Sequence, residues 1–202
     1  MERLRRECPW KREQTHRSLA RYLQEEAHEA LEAIDTGDVD HLREELGDLL
    51  LQVYFHAAIA AEAGEFTLDD VARGIAEKMH RRNPHVFGGD GPSALSAAEV
   101  NDRWQEIKAT EKPRASPYDG IPDSLPALLL ATKVLERLAP SAEPSPTSAP
   151  APSPSPSPPS PGSPSSSEQI GERLLEVVAD ALASGVDPEQ ALRSAVRRVL
   201  ER

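Results

Sequence analysis

Eleven of the chain's 19 prolines fall between Pro140 and Pro164, in the run PSAEPSPTSAPAPSPSPSPPSPGSP. That run has no apolar face to bury, and its prolines supply no backbone N–H for a helix or a sheet. It reads as a disordered or polyproline-like linker over 140–165. Any folded core must be built on either side of it. The expected organisation is a domain at 1–139, the linker, and a short helical segment at 166–202.

The body reads as all-α. Aromatic residues make up only 4% of the chain, so the core must rest on Leu, Ala, Val and Ile, a composition that favours helices over sheets. Leu19, Leu23, Ala27, Ala30, Leu31 and Ile34 recur at helical spacing, which predicts a first helix from Glu13 to Ile34, stopped by Gly37. A second follows an Asp38 or Asp40 cap and runs to Ala63. A third starts at Thr67, whose pairing with Asp70 forms a capping box, and ends by Asn83 because Pro84 follows. Residues 84–95 read as a loop. Ser96 and Glu99 cap a fourth helix to Glu111, and a fifth spans Asp123 to Leu138. No segment of the body alternates as a strand.

From Leu49 onward the second helix (LLLQVYFHAAIAA) is apolar almost all the way round. Such a helix is normally enclosed by a core or by another subunit. A body this small can hardly enclose it alone, so an isologous homodimer is expected.

Four carboxylates carry the chemistry. Glu26 and Glu29 lie three apart on the first helix, and Glu45 and Asp48 three apart on the second, so each pair shares a helical face. An antiparallel hairpin through the turn at 35–40 allows the pairs to meet as an oxygen-only cage. Four clustered negative charges call for a cation, and carboxylates suit Mg²⁺ or Mn²⁺ over zinc or copper. A Mg²⁺ ion held this way commonly completes its shell with phosphate oxygens. The competing reading is a solvated acidic face, which fits Glu25, Glu32 and Glu44. Glu-x-x-His units at Glu13/His16, Glu25/His28 and Glu77/His80 also fit a di-iron pattern, but two of them share one helix, which disfavours it.

Other classes are excluded more simply. A net charge of −11 argues against general nucleic-acid binding, which needs clustered Lys and Arg. One cysteine, Cys8, allows neither an internal disulfide nor a Cys-based zinc site. No run is long and apolar enough for a membrane, and the basic N-terminus lacks the apolar segment of a signal peptide, so a cytoplasmic protein is expected.

At these residues the sequence resembles the MazG nucleoside triphosphate pyrophosphohydrolases. The family hallmark, E-E-x-x-E followed by E-x-x-D, stands here as Glu25-Glu26-x-x-Glu29 and Glu45-x-x-Asp48. Around it lie CPWKREQTH (8–16), LREELGDLLLQVYFHA (42–57), RRNPHVFG (81–88), RWQEIKATEK (103–112) and DGIPDSLPALLLATKV (119–134), all similar to family segments and in family order. Lys11 stands where the motif usually has an acid, and His28 where it usually has tyrosine. Cys8 and Trp10 read as packing residues.

The resemblance implies a helical bundle, usually dimeric, that hydrolyses nucleoside triphosphates to the monophosphate and pyrophosphate with Mg²⁺ or Mn²⁺. It assigns the metal and catalysis to Glu26, Glu29, Glu45 and Asp48. It assigns the triphosphate to Lys78 and Arg82, and the nucleotide to Trp104 and Lys108. Residues 168–202 align with 44–82 across a four-residue gap, which reads as a degenerate second module. There Gln169 stands in place of Glu45 and Glu172 in place of Asp48, and no E-E-x-x-E helix precedes them. A nucleotide-binding or scaffold module that has lost its catalytic half is the alternative reading.

Overall fold

The computed structural model describes residues 1–88, 95–111, 116, 118–138 and 166–200; the linker expected at 140–165 lies outside them. Among the described residues there are ten helices and no strand, as the all-α reading expects. They are α1 (Glu2–Glu7), α2 (Pro9–Glu13), α3 (His16–Thr36), α4 (Val39–Glu62), α5 (Leu68–Arg82), α6 (Pro84–Phe87), α7 (Ala97–Thr110), α8 (Ala127–Leu138), α9 (Ser166–Ala183) and α10 (Pro188–Leu200). The chain divides into two compact units, Met1–Pro113 and Arg114–Arg202.

The first unit is organised by the antiparallel hairpin of α3 and α4. The Thr15 hydroxyl accepts from the Ser18 amide and the Ser18 hydroxyl accepts from the Thr15 amide, a reciprocal cap that starts α3 at His16. At the far end Gly37 takes a left-handed conformation (φ 72°), which a side chain disfavours, and its amide closes on the last carbonyls of α3. Asp38 then caps α4 by accepting from the His41 amide at 3.0 Å. The turn is thus fixed by local chemistry, and it sets how the two long helices slide against each other. α3 packs along α4, and Leu19, Ala30 and Ala33 of the one and Phe55, Ala57, Ala58 and Ala60 of the other are all buried. Small residues let the two backbones approach closely.

The N-terminal segment is tied to the end of α4 by Arg5, which is only 6% exposed. Its guanidinium donates to Glu62 through Nε (2.7 Å) and Nη2 (2.6 Å), and through Nη1 to the carbonyls of Lys11 (2.7 Å) and Gln14 (2.9 Å). Lys11, which takes the place of the usual acid, sets its ammonium 5.3 Å from the ring centres of both Trp10 and Phe55. Trp10 meets Tyr22 edge to face and is half exposed. The chain is broken into α1 and α2 at Cys8, whose extended backbone is what a residue before proline prefers.

The expected boxes of Thr67 with Asp70 and Ser96 with Glu99 cap α5 and α7. The expected loop after Pro84 instead opens with the single turn α6, with proline at its first helical position. Of the loop's remainder, 89–94 lies outside the described residues. α5 packs on α4, and α7 on α5.

In the second unit α8 packs with α9 and α10, around Thr132, Val178 and Pro188. Gly185 (φ 69°) ends α9 and Asp187 caps α10, the same order of left-handed glycine and polar cap that joins α4 to α5 through Gly64 and Thr67. α8 therefore groups with the C-terminal helices, although the sequence reading puts it in the 1–139 body. No helix among the described residues is long and apolar enough to cross a membrane.

Candidate active site

The α3–α4 hairpin brings three of the four expected carboxylates, Glu26, Glu29 and Glu45, together. One carboxylate oxygen each from Glu26, Glu29 and Glu45 lies within 4.8 Å of the others. Glu29 is exposed, Glu26 half-buried and Glu45 buried, so the cluster runs from solvent into the hairpin. Asp48 stands outside that group of three but is near enough for its charge to act on Glu26. The Glu26 carboxyl is pushed above the usual carboxylate range, first by burial, then by the charges of Asp48, Glu29 and Glu45 and by a hydrogen bond shared with Glu29.

Glu45 is the informative member. Its Oε1 is 3.0 Å from His41 Nε2, one turn earlier on α4, while its Oε2 is buried with no hydrogen-bond partner. A buried carboxylate oxygen left unpaired is costly unless something binds it. Glu45 also belongs to a group of three converging carboxylates, a donor set suited to a hard divalent cation. The residues present therefore fit Mg²⁺ or Mn²⁺. His41 was not singled out from the sequence, although an i, i+4 relation to Glu45 was a readable signal.

Two histidines of the di-iron pattern, His16 and His80, are engaged elsewhere. His16 Nδ1 lies 2.7 Å from His56 Nδ1 with the rings stacked, and His80 stacks on Phe87. The His56 imidazole is held below its ordinary pKa by burial first and by His16 second, and its Nε2 is buried without a partner.

The second set of expected residues gathers where α5 meets α7. The Arg82 guanidinium carbon lies 4.8 Å from the Trp104 ring centre, and Lys108 Nζ lies 5.0 Å from it. Trp104 thus holds two cations against its ring and leaves less of that ring open to a stacked base than the sequence suggests. Lys78, one turn before Arg82, is half-buried and forms no hydrogen bond or ion pair among the described residues. Glu111, at the end of α7, accepts from Arg82 Nε at 3.1 Å and from Arg81 Nε at 2.9 Å. These two arginines draw the Glu111 carboxyl down to about 2, the Arg82 hydrogen bond being the largest cause.

Comparison with known proteins places the chain in a family. Residues 14–87 match the model of the MazG nucleotide pyrophosphohydrolase domain. The nucleoside triphosphate pyrophosphohydrolase/pyrophosphatase MazG of Thermotoga maritima is 40% identical over 211 residues, covering all of this chain and 80% of that protein. The chain belongs to the MazG family. An uncharacterised 26.1 kDa protein of Streptomyces cacaoi is 43% identical over 198 residues, with 96% of this chain and 74% of that protein aligned. The MazG relative of Escherichia coli, a nucleoside triphosphate pyrophosphohydrolase, is 47% identical over 135 residues, which is 65% of this chain and 51% of that protein. The matched segment of the MazG model contains the whole carboxylate hairpin, Lys78 and Arg82, and ends before Trp104 and Lys108.

Proposed function

We propose that this chain hydrolyses nucleoside triphosphates, ordinary or aberrant, to the monophosphate and pyrophosphate, with Mg²⁺ or Mn²⁺ held by Glu26, Glu29, Glu45 and Asp48, in a nucleotide-pool housecleaning role. The observation that carries the reading is the convergence of the Glu26, Glu29 and Glu45 carboxylates, with one Glu45 oxygen, Oε2, buried and unpaired. Bound there, such an ion neutralises phosphate charge and makes a water more acidic.

The chain's own residues supply the rest. Glu45 is fixed by His41 at one oxygen and presents the other inward. The Glu26 carboxyl is held above its ordinary range by burial and by its acidic neighbours, and a bound cation would offset those neighbouring charges. Lys78 and Arg82 stand one turn apart on α5 as donors for the triphosphate, and Lys108 adds a third cation beside Trp104. Cleavage falls between the α and β phosphates.

The homodimer belongs to the same proposal. Leu46, Leu50, Val53 and Tyr54 are each at least 40% exposed on α4 and fall on the side of the helix away from Glu45 and Asp48. That continuous apolar face suits a second copy. The division into a catalytic domain at 1–139, a linker, and a degenerate second module at 166–202 is proposed with it; the aligned order of α9, Gly185 and α10 supports the last part.

The test incubates purified protein with each triphosphate and Mg²⁺ and separates the products. Pyrophosphate and monophosphate are expected, and Glu45→Gln should abolish their release while leaving the circular dichroism spectrum unchanged. Diphosphate with orthophosphate would refute the reaction, and binding without turnover would favour the scaffold reading.

A further inference from the structure

Glu111 is an acid in an unfavourable place. It stands at the C-terminal cap of α7, where the helix dipole disfavours negative charge and where Lys or Arg is the usual choice. Its side chain is nevertheless only 15% exposed, and Arg82, its main partner, only 13%. Trp104, Lys108 and Glu111 follow one another at i, i+4 and i+7, so α7 presents all three on one face. That face meets Arg82 of α5.

The geometry points to Glu111 as the positioning residue for Arg82, holding its guanidinium over Trp104 with one end free to receive a phosphate. Arg82 donates to the Glu111 carboxylate from Nε (3.1 and 3.2 Å) and from Nη2. Nη1 forms no hydrogen bond among the described residues. A planar guanidinium engaged along that edge keeps Nη1 and one Nη2 hydrogen pointing away from the carboxylate, the fork that suits a phosphate oxygen pair. The same carboxylate also accepts from Arg81 Nε at 2.9 Å and pairs with its Nη2 at 2.8 Å, so one negative charge faces two adjacent positive ones. Its strongly acidic character keeps it ionised across the physiological range. An unclamped Arg82 would sample many rotamers and would have to be ordered when nucleotide binds.

This inference rests on the proposed reading of Arg82 as a triphosphate ligand, and its test separates the two. In the full-length chain, Glu111→Gln keeps the shape but loses the charge and the two-oxygen clamp. The KM for the triphosphate should rise about tenfold, the weight of one charge-assisted hydrogen bond, with kcat changed less than about twofold. In an Arg82→Ala background the same change should add nothing. Mn²⁺ binding alone, measured calorimetrically, should be unaltered, because the carboxylates belong to α3 and α4. If Glu111→Gln does not fold, Glu111→Asp, which keeps the charge but withdraws it by one methylene, should show the same raised KM. A KM that is unchanged or lowered, or effects that add in the double variant, would overturn the positioning role while leaving the proposed function intact. Failure of the unaltered protein to bind any triphosphate would overturn both.

Discussion

Removing Arg5 tests the energetics of the first unit most directly. Arg5→Ala deletes four hydrogen bonds, two of them to a carboxylate, from a guanidinium that is almost fully buried. Breaking a fully buried ion pair costs about 3–5 kcal/mol, chiefly because the abandoned charge stays desolvated. Here the abandoned charge is Glu62, whose side chain is 51% exposed and rehydrates, so that part must be discounted. The carbonyls of Lys11 and Gln14 lose their donor as well, and the contact above Phe55 is lost. A destabilisation of about 2–3 kcal/mol is expected.

The converse change, Glu62→Ala, leaves the buried guanidinium with carbonyl acceptors alone and should cost about 1–2 kcal/mol. Because the two changes remove one shared interaction, the double variant should fall short of their sum by about 1 kcal/mol or more. Urea unfolding followed by tryptophan fluorescence reads this cleanly, since both of the chain's tryptophans, Trp10 and Trp104, lie in the first unit. A cost below about 1 kcal/mol for Arg5→Ala, or additivity within about 0.3 kcal/mol, would refute the reasoning.

Two further outcomes are expected. His56 is held below its ordinary pKa in the fold, so the unfolded chain takes up that proton first; its stability contribution is fully present above about pH 6.5 and declines as pH falls below it. Thermal unfolding across pH 5 to 8 should show a shallower acid decline in His56→Gln than in the parent, and identical slopes would contradict it. Leu50→Lys places a charge in the exposed apolar face of α4, where Leu50 is 54% exposed. Sedimentation should find it monomeric and the parent, on the proposed reading, dimeric; a dimer of undiminished affinity would rule that face out.

Much of this architecture was legible in residue chemistry, and the failures are instructive. α5 and α7 begin where their boxed caps place them, because a cap is a local hydrogen-bond pattern that needs no tertiary partner. The start of α3 at His16 and of α8 at Ala127 came later than hydrophobic spacing suggests. Spacing cannot tell a helix interior from the residues leading into it, whereas Thr15 and Pro126 could have. α1 and α2 carry too little periodicity to declare themselves, and they are ordered by Arg5 reaching Glu62. The carboxylate pairs were visible as faces of two helices; their convergence depends on the turn at Gly37 and Asp38. Glu111 and His41 went unnoticed because their meaning lies in what the neighbouring side chain does, and the Arg82 contact crosses between helices.

The position of the carboxylates within a single hairpin also bears on how such a chain can be inherited. Glu26, Glu29 and Glu45 need only α3, its turn and the start of α4 to come together, a local closure rather than a search across the chain. A site so local travels with its hairpin into any larger protein, and it is lost whenever the hairpin is cut. A copy that carries the counterparts of α4 and α5 without α3 inherits helices that still pack, as α9 and α10 do on α8, but receives half of a cage. On the proposed reading of 166–202 as a degenerate second module, this chain keeps one such hairpin whole and only the packing helices of the other.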